Sequence, residues 1–177
     1  MSGILTLAAL VGLSYYYVNN MNQSKTVISM SKMDSYDEFL KKFAKIYGVS
    51  WRVLKAHIGA ATDYGKSSWY ESQKPWGQNR LGLLGMRGED FLYVRDILKS
   101  NLTTSSMNDL TIAIEYGAAF LKFVNAKYPN DHNNQVIAFY LGLDKQGVAE
   151  SGDIYTWQEY LGRFNEEYSK IIQRQKE

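Results

Sequence analysis

The sequence predicts an all-α fold. Three observations carry that expectation. Apolar residues recur at the 3.6-residue helical period beyond residue 35, capping residues stand ahead of those stretches, and no strand alternation or hairpin turn interrupts them. Ser35 precedes a stretch in which Phe39, Leu40, Phe43, Ile46 and Tyr47 share one face, with Gly48 placed to end it. Ser50 caps a second helix whose Leu54, Ile58 and Ala61 line one side. Residues 64–88, rich in glycine and holding Pro75, keep no period and read as a long loop. Glu89 and Asp90 open a third helix with Phe91, Val94, Ile97 and Leu98, since acids suit the first turn. Asn108 or Asp109 opens a longer one with Leu110, Ile114, Gly117, Leu121 and Val124 in register. Residues 133–141 make a short buried helix. Residues 154–174 form the last, which buries Trp157, Leu161, Phe164, Tyr168 and Ile171 or Ile172.

Composition narrows the function. With 177 residues, 45% of them hydrophobic and 14% aromatic, the chain can bury a core, which excludes global disorder. A formal net charge of +2 gives no basic face for phosphate contacts, so no nucleic-acid partner is expected. The absence of cysteine excludes disulfides, thiol catalysis and thiolate metal sites. His57 and His132 stand in no ligand spacing, so no metal and no cofactor is expected.

The first 24 residues carry no charged side chain. Residues 1–18 read as a hydrophobic N-terminal anchor or docking helix, with Tyr15, Tyr16 and Tyr17 suited to a membrane–water interface. The apolar run from Ile4 to Val18 is short against the roughly 17–25 residues of a bilayer span. The partner of residues 1–24 is therefore a membrane or a protein assembly. Residues 19–34 are polar and aperiodic and read as a tether. Residues 35–177 read as the folded domain.

Four segments of that domain carry a resemblance. GVSWRVLKAHIGAATDYGKS (48–67), LGLLGM (81–86), AIEYGAAFLKFV (113–124) and VIAFYLG (136–142) follow one another in the order of the lytic transglycosylase motifs. The domain thus resembles the lysozyme-like superfamily, and its lytic transglycosylase family in particular. ATDYGKS and LLGMRG are also similar to segments of flagellar-type glucosaminidases of the same superfamily. The resemblance implies a peptidoglycan glycan strand as substrate and cleavage of the bond between N-acetylmuramic acid and N-acetylglucosamine. It places the protein at the periplasm or cell wall. Together with the leader, it suits a phage protein that breaches the envelope, or one associated with the virion.

Glycosidic cleavage needs a protonated carboxyl group, kept so by a partly apolar cleft. The resemblance implies a single glutamate that first protonates the leaving oxygen and then acts as base on the sugar's 6-hydroxyl. In this chain that position is Ala61, followed by Thr62. The glutamine of the second motif falls at Gly85, next to Met86, and the asparagine of the last motif at Leu141, while the tyrosine is kept as Tyr140. Thr62, Gly85, Met86 and Tyr140 are therefore the expected substrate-binding positions. A methyl group donates no proton, so the chain as written is expected to be inactive or impaired.

Other acids compete for the role. Asp63 would serve as a substitute acid if the helix ended at residue 61 or 62; otherwise it binds backbone N–H groups in the Tyr64–Gly65 turn. Glu71 lies in the long loop, Glu115 on a core-facing helix as an ion-pair or rim residue, and His57 reads as a satisfied core histidine. Trp69 and Trp76 offer faces for stacking on sugar rings, or pack to pin the loop.

Overall fold

The computed structural model describes residues 34–65, 80–143 and 155–175. Six α-helices dominate: α1 (Asp37–Tyr47), α2 (Trp51–Thr62), α3 (Gly88–Ile97), α4 (Leu110–Lys127), α5 (His132–Leu141) and α6 (Trp157–Arg174). A 3-10 turn, Thr104–Asn108, leads into α4. The all-α expectation is met with one addition, a small antiparallel hairpin of β1 (Arg80–Leu81) and β2 (Met86–Arg87). Its strands are too short to show alternation in the sequence. The turn between them depends on Gly82 and Gly85, both with positive φ (66° and 60°), which glycine adopts at no steric cost.

Helix α4 runs through the middle of the core. Every residue from Ala113 to Leu121 is buried, as expected of a helix covered on all sides. Asp109 caps it by accepting from the Thr111 and Ile112 amides. Gly117 is required by packing: a Cβ there would stand 2.8 Å from Leu84 Cδ2, so the missing side chain lets the hairpin turn press onto the helix. Helices α1 and α2 cover one flank of α4, with α6 packed along α2.

Helix starts differ from expectation where capping is concerned. Ser50 caps α2 as predicted, through a 3.5 Å contact from the Val53 amide. Ser35 does not cap α1; the N-cap is Tyr36, with no side-chain bond, and Gly48 ends the helix at φ 69°. The last helix starts at Trp157 because Thr156 and Glu159 form a reciprocal capping box. Its buried stripe is Tyr160, Phe164 and Ile171, so Trp157, Leu161 and Tyr168 are only half-buried and Tyr160 takes the deepest place. Residues 1–33, with the predicted anchor and all of the predicted tether but Asp34, lie outside the described residues, as do Trp69, Glu71 and Trp76. Among the described residues no helix is long and apolar enough to cross a membrane.

Candidate functional site

The residues named by the resemblance gather where the C-terminal end of α2, the hairpin and α5 meet. Helix α2 ends at Thr62, and Asp63, Tyr64 and Gly65 follow with left-handed backbone (φ 47°, 53° and 78°). Such conformations are costly for side chains other than glycine and persist only when neighbours hold them. Thr62 is that support: its hydroxyl lies 2.9 Å from the Leu83 carbonyl and 3.0 Å from that of Ile58, and accepts from the Gly65 amide at 3.2 Å. Tyr64 is pinned from α6, donating its hydroxyl to Glu167 Oε2 at 2.8 Å.

This geometry changes the roles of the expected residues. Ala61 is 3% exposed and sits within the apolar core, so it is an interior residue of α2. The helix does end where a substitute role for Asp63 required, yet the left-handed turn leaves Asp63 exposed to solvent. The amide of Gly65 is held by Thr62 and not by Asp63. Gly85 and Met86 are buried in the hairpin, Met86 at 1% exposure, and serve packing rather than an open groove. Glu115 is buried on α4, where its Oε1 accepts from the Tyr47 hydroxyl at 3.2 Å; it is no rim residue.

Tyr140 is also structural. Its hydroxyl donates to the Tyr155 carbonyl at 3.0 Å and accepts from the Tyr155 amide at 2.8 Å, which fixes the chain entering α6. Its ring stacks on Tyr160 at 4.0 Å between centroids, and the Arg80 guanidinium stands 3.9 Å from the Tyr140 ring centroid. His57 is the core histidine expected. It is fully buried, with Nδ1 2.9 Å from the Tyr160 hydroxyl and its ring stacked on Phe139 at 3.9 Å. Burial without a counter-charge holds it well below the ordinary histidine range, and His132 pushes the same way. Its Nε2 meets no partner.

Sequence reasoning missed a buried polar cluster. Arg80 and Arg87 are direct cross-strand partners in the hairpin, each 3% exposed. Arg80 donates to the Tyr140 carbonyl and, at 3.3 Å, to that of Gly85, while Arg87 donates to the Leu141 carbonyl. Both thus satisfy the carbonyls that the end of α5 leaves without helical partners and that carry its partial negative charge. Asp90, in the first turn of α3, is 7% exposed and takes a backbone hydrogen bond from Leu143. Desolvation raises its carboxyl to about 6, against the lowering effect of that bond and of Arg87 and Arg80. Its Oδ2 meets no donor. One signal for the cluster was in the sequence: the two arginines flank LGLLGM symmetrically, the pattern a hairpin pairs.

The described residues hold no cluster of histidine and acidic groups able to bind a metal ion. Comparison of the chain with protein-family models, with curated proteins and with solved structures finds no match.

Proposed function

We propose that this chain is a peptidoglycan-directed domain of lytic transglycosylase type that binds the glycan strand without cutting it. One observation carries the reading: the four segments that bear the resemblance pack on one another around the hairpin. Thr62 reaches Leu83, Leu84 presses on Gly117, Arg80 reaches Tyr140, and His57 stacks on Phe139. The absence of cutting follows from the missing acid: the position at which the resemblance expects the glutamate holds Ala61, packed in the core, and lacking a general acid costs roughly 10²–10⁴ in rate. Residues 1–18 would hold the domain at a membrane or in an envelope-breaching assembly, with 19–34 as tether.

The test is cosedimentation of the full chain with purified sacculi, together with assay of the muropeptides released. The expected result is sedimentation without release. Release that Asp63→Asn abolishes would make the protein an enzyme with Asp63 as its acid. Failure to sediment would leave a purely structural role for the fold.

A further inference from the structure

His57 stands in an aromatic cage that α6 closes. The residue is fully buried in α2, with Phe139 of α5 stacked on its ring at 3.9 Å and Phe164 of α6 at 4.6 Å. Among the described residues its one hydrogen-bond partner is also on α6: the Tyr160 hydroxyl lies 2.9 Å from Nδ1, and Nε2 meets none. A neutral imidazole leaves one ring nitrogen unmet here. An imidazolium, with two N–H donors and a charge, needs a second acceptor and a carboxylate that the cage does not hold.

The charged and titratable groups of every neighbouring element bear this out. From α5, His132 acts on His57; from α6, Tyr160 faces it. Arg80 of the hairpin, Tyr140 of α5, and Tyr155 and Arg163 at α6 act in turn on Tyr160. None of these is an acid. The nearby carboxylates are engaged away from the cage, Glu115 of α4 with Tyr47 and Glu167 of α6 with Tyr64 and Lys170. Lys55, earlier on α2, is turned to Asp34 and Asp37. A proton on His57 therefore drives the ring toward water, and α6 is the wall that gives way. That helix packs mainly on α2 and α5, so it can part from both while α4, α1, α3 and the hairpin stay assembled. Its polar ties to the α2 side are Arg163 to the Ala60 carbonyl, Glu167 to the Tyr64 hydroxyl and Gln175 to Arg52, all exposed or part-buried and thus replaceable by water. We infer that His57 is an acid-operated latch: once charged, it releases α6 as a unit and uncovers the aromatic face of Phe139, Tyr140, Tyr160 and Phe164. Because Glu167 leaves with α6, the left-handed turn at Tyr64 loses its pin in the same step. The latch does not depend on the peptidoglycan reading.

Amide hydrogen exchange of the full chain tests it across about pH 5 to 8, the range in which a histidine changes charge, with each rate corrected for the unfolded chain at the same pH. Amides of α6 should be less protected than those of α4 throughout. Their protection should fall about tenfold per pH unit below the unfolded histidine value of about 6.5. His57→Gln, which takes no charge, should abolish that fall in α6, whereas His132→Gln, at an exposed position, should leave it in place. His57→Phe carries the same expectation if His57→Gln fails to fold. Equal protection of α6 and α4, falling together, would make the acid response one of global unfolding and overturn the inference. So would α6 protection that is flat with pH, that still falls in the His57 variants, or whose fall disappears with His132→Gln.

Discussion

The two ends of α2 are built by opposite means. The N-terminal end is local and wet: Ser50 caps it from the preceding residue, and Lys55 pairs with two aspartates that reach solvent. The C-terminal end is buried and held from afar. Arg163 on α6 donates to the Ala60 carbonyl at 2.9 Å, Thr62 reaches the hairpin, and Tyr64 is pinned by Glu167 across 103 residues of sequence. The first end can be disturbed one bond at a time; the second ties three elements together, so a change there spreads.

The largest effect is expected where burial is deepest. Ala61→Glu places an unpaired carboxylate in the core and should cost about 3–5 kcal/mol of unfolding free energy, measured by denaturant titration. A variant that keeps the wild-type midpoint and releases muropeptides would instead put position 61 against glycan and make the chain a disarmed enzyme. Gly59→Ala comes next. Its Cβ would meet Glu167 Cγ and the Tyr64 hydroxyl, each at 2.8 Å, forcing apart the pair that holds the left-handed turn. Overpacking of this kind costs about 1–3 kcal/mol, and a thermal midpoint equal to wild type would show that Glu167 simply moves aside.

Between the two ends, His57 adds a pH dependence. Its folded pKa lies below the unfolded value of about 6.5, so the folded protein binds fewer protons. The stability it contributes is present above that pH and is lost as pH falls below it, at up to about 1.4 kcal/mol per pH unit. Asp90 acts in the opposite sense: its carboxyl, raised from 3.8 to about 6, takes up a proton in the folded state first, so acidification through that window is stabilising. Asp90→Asn should therefore steepen the acid loss between pH 6 and 4. Melting curves across that range check the sign, and an unchanged slope would remove Asp90 from the account. The smallest effect is expected at the wet end, where Ser50→Ala loses only a cap, about 1 kcal/mol. A loss as large as that of Gly59→Ala would erase the contrast between the ends.

The helices were legible because each carries its own period and most of its own boundary signals. Ser50, Gly48 and Asp109 act through residues two to four positions away, a distance at which sequence and structure coincide. Tyr160 shows the limit. The helical period allowed several overlapping faces on α6, and only contact with His57 and Tyr140 selected the one that holds it. At the candidate site the sequence pointed to residues that lie near one another, and only the structure gives their directions. Thr62, Gly85, Met86 and Tyr140 do converge, but their polar groups are turned inward to one another or to the backbone.

Alone, the sequence determined that the domain is helical, where most of its helices start and stop, and that no carboxyl group stands at position 61. Tertiary structure decided the burial of Arg80, Arg87 and Asp90, the inward turn of Tyr140 and the cage that α6 closes over His57. The reason is range: periodicity and capping act within a helical turn or two, whereas burial of a charge depends on partners brought together from positions such as 80, 87 and 141.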